Sequence, residues 1–555
     1  MTRLPLASPV YWVGGWLILV AVAMFSWPFV PIDETRYVTV AWEMWLHNSF
    51  LVPHLNGEPY SHKPPLLFWM MQAGWAVLGV NDYWPRMVPA LFSLGAVFLT
   101  RAMARLLWPG QDRIVELVPF ILLGAQFWAL FTPAVMFDLI LTFWAVLGLY
   151  GALLTTREGA KPLHGWLIVG FAIGMGVLTK GPVILLHILI PLLSAPWWLK
   201  GREIRWRRWY ASMVGAVLLG AIIALGWAIP AALTGGDKFA EMIFWGQTAG
   251  RMSHSFAHAR AWWWYVMLLP LILFPWFVWP DLWRAFGRLL KRNLAEIGVR
   301  FCLAWIIPVF VAFMLVSGKQ AHYLLPLFPG FALLAARGLA EYEGIGKRPW
   351  PIALGFITIA VVLALLPHLQ TKLLWPEWLA NLPLWNVVII AAVGVVLLVA
   401  PQFRNGGRSV LPIYIASLTL SLVVSSGIMR SAAHAYDLKP MAQELAKLQQ
   451  ENTTIAFVGK YPGLFNFTGR LHEPLKVLTS NGEADKWASD HPDGAIIKVF
   501  NDETKPKASD PFYLIPYRGK QMGIWHARDI LEASKVAAST PEVKSRSRSL
   551  QAPSN

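Results

Sequence analysis

The feature that most constrains this chain is one it repeats. Apolar runs near the length of a bilayer-spanning helix recur at about 10–30, 84–107, 114–131, 135–155, 164–179, 182–199, 210–232, 263–282, 301–316, 321–340, 350–367, 384–401 and 410–428. Roughly 20 apolar residues in a helix cross the hydrocarbon, where only helices and closed barrels satisfy their own backbone. About thirteen such runs specify a polytopic α-helical membrane protein. Of 555 residues, 56% are hydrophobic and 14% charged, against about 25% charged in soluble domains. The net charge of +16 suits anionic lipid or an anionic substrate, while the apolar composition argues against a nucleic-acid partner. The single cysteine, Cys302, excludes an intramolecular disulfide framework and a cysteine-cluster zinc site.

The connections orient the spans. "RAMARLLWPGQDR", "TTREGAKP", "LKGREIRWRRWY", "RAFGRLLKRNLAEIGVR", "GIGKR" and "FRNGGR" hold most of the loop Lys and Arg and recur at every second connection. Basic loops stay on the cytoplasmic side. The stretch "PPLLFWMMQAGWAVLGV" (64–80) is apolar but short, and counting it as a span would invert every later loop. It is expected to lie in the outer interface or to re-enter there. The N-terminal run lacks a small-residue cleavage site and reads as a retained first span. The expected topology has a cytoplasmic N-terminus and a periplasmic C-terminus. Residues 1–429 would form the membrane domain, with an outer loop over 31–83. After about residue 429, short apolar runs such as "TTIAFV" and "GAIIKVF" alternate with Gly, Pro and Asn. They predict a small α/β domain over 430–530, followed by a polar tail, 531–555, of disordered composition.

In this topology the outer connections carry the residues capable of chemistry. The first, opening "VPIDETRY", holds Asp33, Glu34, Arg36, Tyr37, Tyr60, His62 and Lys63. Later ones hold Asp138, then Lys180 in "LTKGP", then Arg251, His254, His258 and Arg260, then Lys319, His322 and Tyr323 in "SGKQAHYLLPLFP". A phosphate leaving group needs Arg and Lys to hold it. A carboxylate is needed where an acceptor must be oriented or deprotonated. Each residue also has an ordinary reading. Asp33, Glu34 and Asp138 are placed to cap helices. Lys180 and Lys319 could snorkel to the interface, and Lys63 could be a plain loop charge. His254 and His258 read as solvated side chains, and Trp262–Trp263–Trp264 as an aromatic belt.

The ordered set narrows the choice. "DETRY" after the first span, then "GEPYSHKPPL", an outward acid, "LTKGP", "HARAWWWY" and "SGKQAHYLLPLFP" resemble the bacterial aminoarabinose transferase-like family. These are polyprenyl-phosphate-dependent GT-C glycosyltransferases related to dolichyl-phosphate-mannose protein mannosyltransferases. The resemblance covers roughly residues 10–430. It implies a GT-C fold in the bacterial inner membrane and a sugar donor carried on undecaprenyl phosphate. It also implies a periplasmic active site, with lipid A or another envelope glycolipid as acceptor. Protein O-mannosylation is the enzymatic alternative, and a lipid-linked sugar transporter the non-enzymatic one. By resemblance, Asp33 is the catalytic or acceptor-orienting acid and Asp138 the second outward acid. Arg36, Tyr37, Tyr60 and Lys63 line the donor-phosphate pocket, with Tyr323 the late outward tyrosine. The basic residues Arg251 and Lys319 join them as phosphate ligands, and Glu34, Lys180, His258 and Arg260 complete the candidate set. Members that modify lipid A carry Glu where this chain has His62, and their loop histidine is not matched near "FWGQTAGRM". No bound metal or other cofactor is therefore expected, with His62 and His254 as the alternative divalent-metal pair.

Overall fold

Every apolar run contains a helix. The computed structural model describes residues 8–157, 159, 161–246, 259–343, 349–373, 376–399, 406–501 and 510–532. In chain order the first helices are α1 (Pro9–Ser26), α2 (Asp33–Leu46), α3 (Leu66–Leu78), α4 (Trp84–Leu107) and α5 (Asp112–Leu123). They are followed by α6 (Gln126–Phe131), α7 (Asp138–Leu154), α8 (Pro162–Lys180) and α9 (Val183–Leu193). Among the described residues eight helical segments are long and apolar enough to cross a membrane, and α3, α7, α9 and Leu384–Val399 are shorter apolar helices. The run at 114–131 is two helices rather than one. It breaks at Gly124, where an added Cβ would meet the Trp276 ring at 2.7 Å, and Gln126 N–H donates to the Phe274 carbonyl at 2.8 Å.

The short stretch at 64–80 folds as α3, whose 13 residues reach only about 20 Å at 1.5 Å per residue. Leu66, Phe68, Met71 and Trp75 are buried, while Val77 and Leu78 at its end are exposed. Between α2 and α3 lies a hairpin of β1 (His54–Leu55) and β2 (Glu58–Pro59), antiparallel and turned at Asn56–Gly57.

The chain divides into two compact units, Met1–Asp437 and Leu438–Asn555. Helix continues through Tyr436, so the first unit extends past residue 429, where the composition changes. The second unit holds a five-stranded sheet of β3 (Ile455–Val458), β4 (Lys476–Leu478), β5 (Ala495–Phe500), β6 (Tyr513–Tyr517) and β7 (Lys520–His526) in the order β4-β3-β5-β7-β6. The β4-β3-β5 pairings are parallel and those of β7 antiparallel. Alternation along the strands feeds two cores. Ile455, Phe457 and Ile497 pack with Met441 and Leu445 of helix Lys439–Gln450. Ala456, Ile496 and Trp525 pack with Ala484 and Trp487 of helix Asn481–Asp490. Strands buried on both faces read as the apolar runs "TIAFV" and "AIIKVF". The structure stays helical through residue 532, and the tail expected to be disordered otherwise lies outside the described residues.

Candidate active site

Asp33 is the first residue of α2, but it is not the cap. Ile32 holds the N-cap position, and no side chain caps the helix. The Asp33 carboxylate instead accepts from the Tyr37 hydroxyl at 3.3 Å and lies 3.6 Å from the Arg36 guanidinium, with its side chain 49% exposed. The positive end of the helix dipole favours the charged carboxylate there. Tyr37 is buried edge-on to Phe137, with ring centroids 4.9 Å apart. Burial, and then the Asp33 charge, push its hydroxyl well above the usual tyrosine range, so it stays a donor.

Glu34 behaves differently from its neighbour. Its oxygens accept the amides of Val30 at 2.7 Å and Val135 at 2.6 Å. Arg86 reaches both oxygens at 3.3 Å. The guanidinium also donates to the carbonyls of Pro28 and Pro133 and lies over the Phe29 ring. Glu34 and Arg86 are both buried. This is a fully bonded knot tying the start of α2 to the segment before α7. Glu34, a site candidate by sequence, has its bonds to the backbone of Val30 and Val135 and to Arg86.

The second acid, Asp138, opens α7, again without capping it. It is buried, and one oxygen takes the Lys180 ammonium at 2.5 Å while the other lies 3.9 Å from His322 Nε2. Lys180 ends α8 because Gly181 follows at φ 76°, the left-handed stop that Gly supplies, and Pro182 cannot continue the helix. The ammonium lies 4.4 Å from the centre of the Tyr323 ring. His322 is edge-on to Tyr323 at 5.0 Å. It sits within electrostatic range of Asp138, Lys180, Lys63 and Asp33.

The β1–β2 hairpin brings in the remaining first-loop residues. Tyr60 is buried, stacked on His62 at 5.3 Å and edge-on to Phe68. The Lys63 ammonium lies 5.6 Å from the Phe137 ring centre, beside Asp138 in the chain. Tyr37 in turn is within range of Asp33, Tyr60, Arg36 and Asp138. Asp33, Arg36, Tyr37, Tyr60, Lys63, Asp138, Lys180 and Tyr323 therefore share one neighbourhood.

Lys319 does not join them in the same way. It is buried, donating to the carbonyls of Arg260 and Val316. Arg260 N–H donates to the Ser317 carbonyl and Ala259 bridges Gly318, so Lys319 braces this two-stranded contact. The Arg260 guanidinium is 6.0 Å from the Trp264 ring centre on an exposed residue. Arg251, His254 and His258 lie outside the described residues. Among the described residues no group of three or more His, Cys, Asp or Glu is placed to hold a metal ion.

A family model described as dolichyl-phosphate-mannose-protein mannosyltransferase matches residues 16–235. A Pseudomonas aeruginosa protein named undecaprenyl phosphate-alpha-4-amino-4-deoxy-L-arabinose arabinosyl transferase is 30% identical over 373 residues, covering 64% of this chain and 65% of its own. A Pseudomonas fluorescens protein named as transferase 2 of that kind is 31% identical over 317 residues, covering 56% and 55%. The match thus spans a little under two thirds of these relatives' length. The crystal structure of ArnT from Cupriavidus metallidurans bound to undecaprenyl phosphate superposes with TM-score 0.70 at 19% identity, over 93% of this chain and 97% of that one. This chain shares the fold of that transferase. An archaeal oligosaccharyltransferase, AglB from Archaeoglobus fulgidus, shares the fold more distantly, at TM-score 0.50 and 12% identity over 89% of this chain and 70% of that one.

The arrangement sets basic side chains beside both carboxylates, Arg36 by Asp33 and Lys63 within electrostatic range of Asp138. Two buried residues near the site escaped the sequence reading. Arg86 sits in "DYWPRM" at the head of a span, where a basic residue looks like an interface anchor. His187 of α9 is fully buried within electrostatic range of Lys180 and Asp138, and neither ring nitrogen has a hydrogen-bond partner among the described residues. An intramembrane histidine in "VILLHILI" was the available signal.

Proposed function

We propose that this chain is a glycosyltransferase moving a sugar, aminoarabinose or a relative of it, from undecaprenyl phosphate to lipid A or another envelope glycolipid. The observation that carries this reading is the convergence of two carboxylates with Arg36, Lys63, Lys180 and Tyr323. In this reading the site faces the periplasm, with the N-terminus in the cytoplasm and the C-terminus in the periplasm. The placement of the basic loops supports that orientation.

The acceptor oxygen attacks the anomeric carbon from the face opposite the phosphate. The bond from that carbon to the phosphate oxygen breaks, and its electron pair leaves with undecaprenyl phosphate, inverting the configuration. Arg36 and Lys63 stabilise the charge that grows on the leaving oxygens. An acceptor phosphate is already a nucleophile, so Asp33 then orients it. A hydroxyl acceptor gives up a proton, and Asp33 is the group placed to take it.

The family-model match favours one second reading, transfer to a protein hydroxyl. Purified protein in detergent, given labelled sugar on undecaprenyl phosphate, separates these. Label in glycolipid supports the main reading, label in protein the second, and no transfer in the absence of a second compartment points to a transporter. Orientation is tested by impermeant labelling in a Cys302→Ala background. Glu58→Cys, on the exposed hairpin, reacts from outside and Arg207→Cys, also exposed, does not.

A further inference from the structure

Toward the far end of α2 from Asp33, Glu43 is buried at 4% exposure. One carboxylate oxygen accepts the Asn56 amide at 2.6 Å and the other the Gly57 amide at 2.9 Å. These two residues are the turn of the β1–β2 hairpin, with φ of 55° and 80°. That is the left-handed pair that Asn-Gly adopts in a tight hairpin, and it aims successive amides at one point. The strands on either side are two residues each. A ladder that short does not hold itself in place, since isolated hairpins are marginal even when longer. The Trp69 and Trp227 indoles tie Phe50 and Leu51 before the hairpin, not its turn.

The hairpin matters because of what it delivers. Tyr60 N–H closes on the Pro53 carbonyl at 2.7 Å, and Tyr60, His62 and Lys63 follow directly. One helix therefore carries Asp33 and Arg36 at its start and, through Glu43, fixes the loop that presents Lys63. We propose that Glu43 is a positioning residue for the donor phosphate, holding Lys63 and Tyr60 at a set distance from Asp33 and Arg36. This rests on the donor-phosphate reading above.

Glu43→Gln keeps the volume, but its amide can accept from one turn amide and must set an NH2 against the other. The test uses undecaprenyl phosphate itself, titrated into purified protein, with hydrogen exchange measured on the same samples. The expected result is affinity weakened by about tenfold, the lower end of what losing one charge-assisted contact does. Faster exchange should be confined to 51–63, with 33–46 unchanged. Asn56→Ala loosens the same turn from the other side and should give the same pair of results if Glu43→Gln does not accumulate. Faster exchange with wild-type affinity overturns the positioning role, as does unchanged exchange over 51–63. Lys63→Ala separates the two claims. Weak binding in Lys63→Ala but not in Glu43→Gln overturns the role of Glu43 alone. Wild-type binding in Lys63→Ala overturns the donor-phosphate reading and the positioning role with it.

Discussion

Two aspartates open two helices in this protein, and their surroundings differ in kind. Asp33 is half-exposed and held loosely, by Tyr37 at 3.3 Å and Arg36 at 3.6 Å. Asp138 is buried, with Lys180 at 2.5 Å and His322 at 3.9 Å. A loosely held carboxylate can exchange its partners for a substrate at little cost. A buried, paired one cannot, because separating the pair strands a charge. In the proposed reading Asp33 does the chemistry, and Asp138 with Lys180 forms a rigid pair that serves as the floor of the site.

Breaking the floor should have the largest effect on the protein itself. Asp138→Ala leaves Lys180 without its charge partner and should lower stability by about 3–5 kcal/mol, the usual consequence of removing one member of a buried pair. Thermal melting of the purified protein checks this, and the Asp138→Ala/Lys180→Met double variant should recover part of the loss. A melt unchanged in Asp138→Ala would erase the contrast between the two acids.

Next in size are the bases beside Asp33. Arg36→Ala and Lys63→Ala should each weaken binding of undecaprenyl phosphate by about 10- to 150-fold, the equivalent of roughly 1.5–3 kcal/mol for a charge-assisted contact. Melting temperatures should stay near wild type, because both side chains are partly exposed. Tyr37→Phe sharpens the comparison with the smallest change. It removes one hydrogen bond to Asp33 and should slow transfer by about 2- to 10-fold, in line with roughly 0.5–1.5 kcal/mol per bond. A larger loss would mean that Tyr37 itself contacts substrate.

The helices were legible because apolar run length is a direct record of the bilayer. So was the end of α8, since "TKGP" places Lys180 at a stop that Gly181 and Pro182 both enforce. The pairing of charges was not legible. Asp138 meets Lys180 across 42 residues of sequence and Glu34 meets Arg86 across 52, so only the tertiary packing of helices decides these partners. Glu34 and Asp33 are adjacent acids with identical local signals, yet one turns into the scaffold and the other toward solvent. Lys319 was read for its charge, but its burial against two carbonyls depends on the contact of 259–260 with 317–318. Glu43 gave no signal, because an acid in an amphipathic helix usually faces water.

The central claim is that Asp33 acts through its charge. Since Ile32 is the N-cap and no side chain caps α2, Asp33→Asn changes the charge without removing a cap. The measurement is transfer rate and undecaprenyl phosphate affinity on the same preparation of this variant. Transfer should fall by about 100-fold or more, the scale of losing one preorganised electrostatic contact to the reacting centre, with affinity within about threefold of wild type. Wild-type transfer by folded Asp33→Asn would contradict the account and leave Asp138 as the remaining carboxylate of the site.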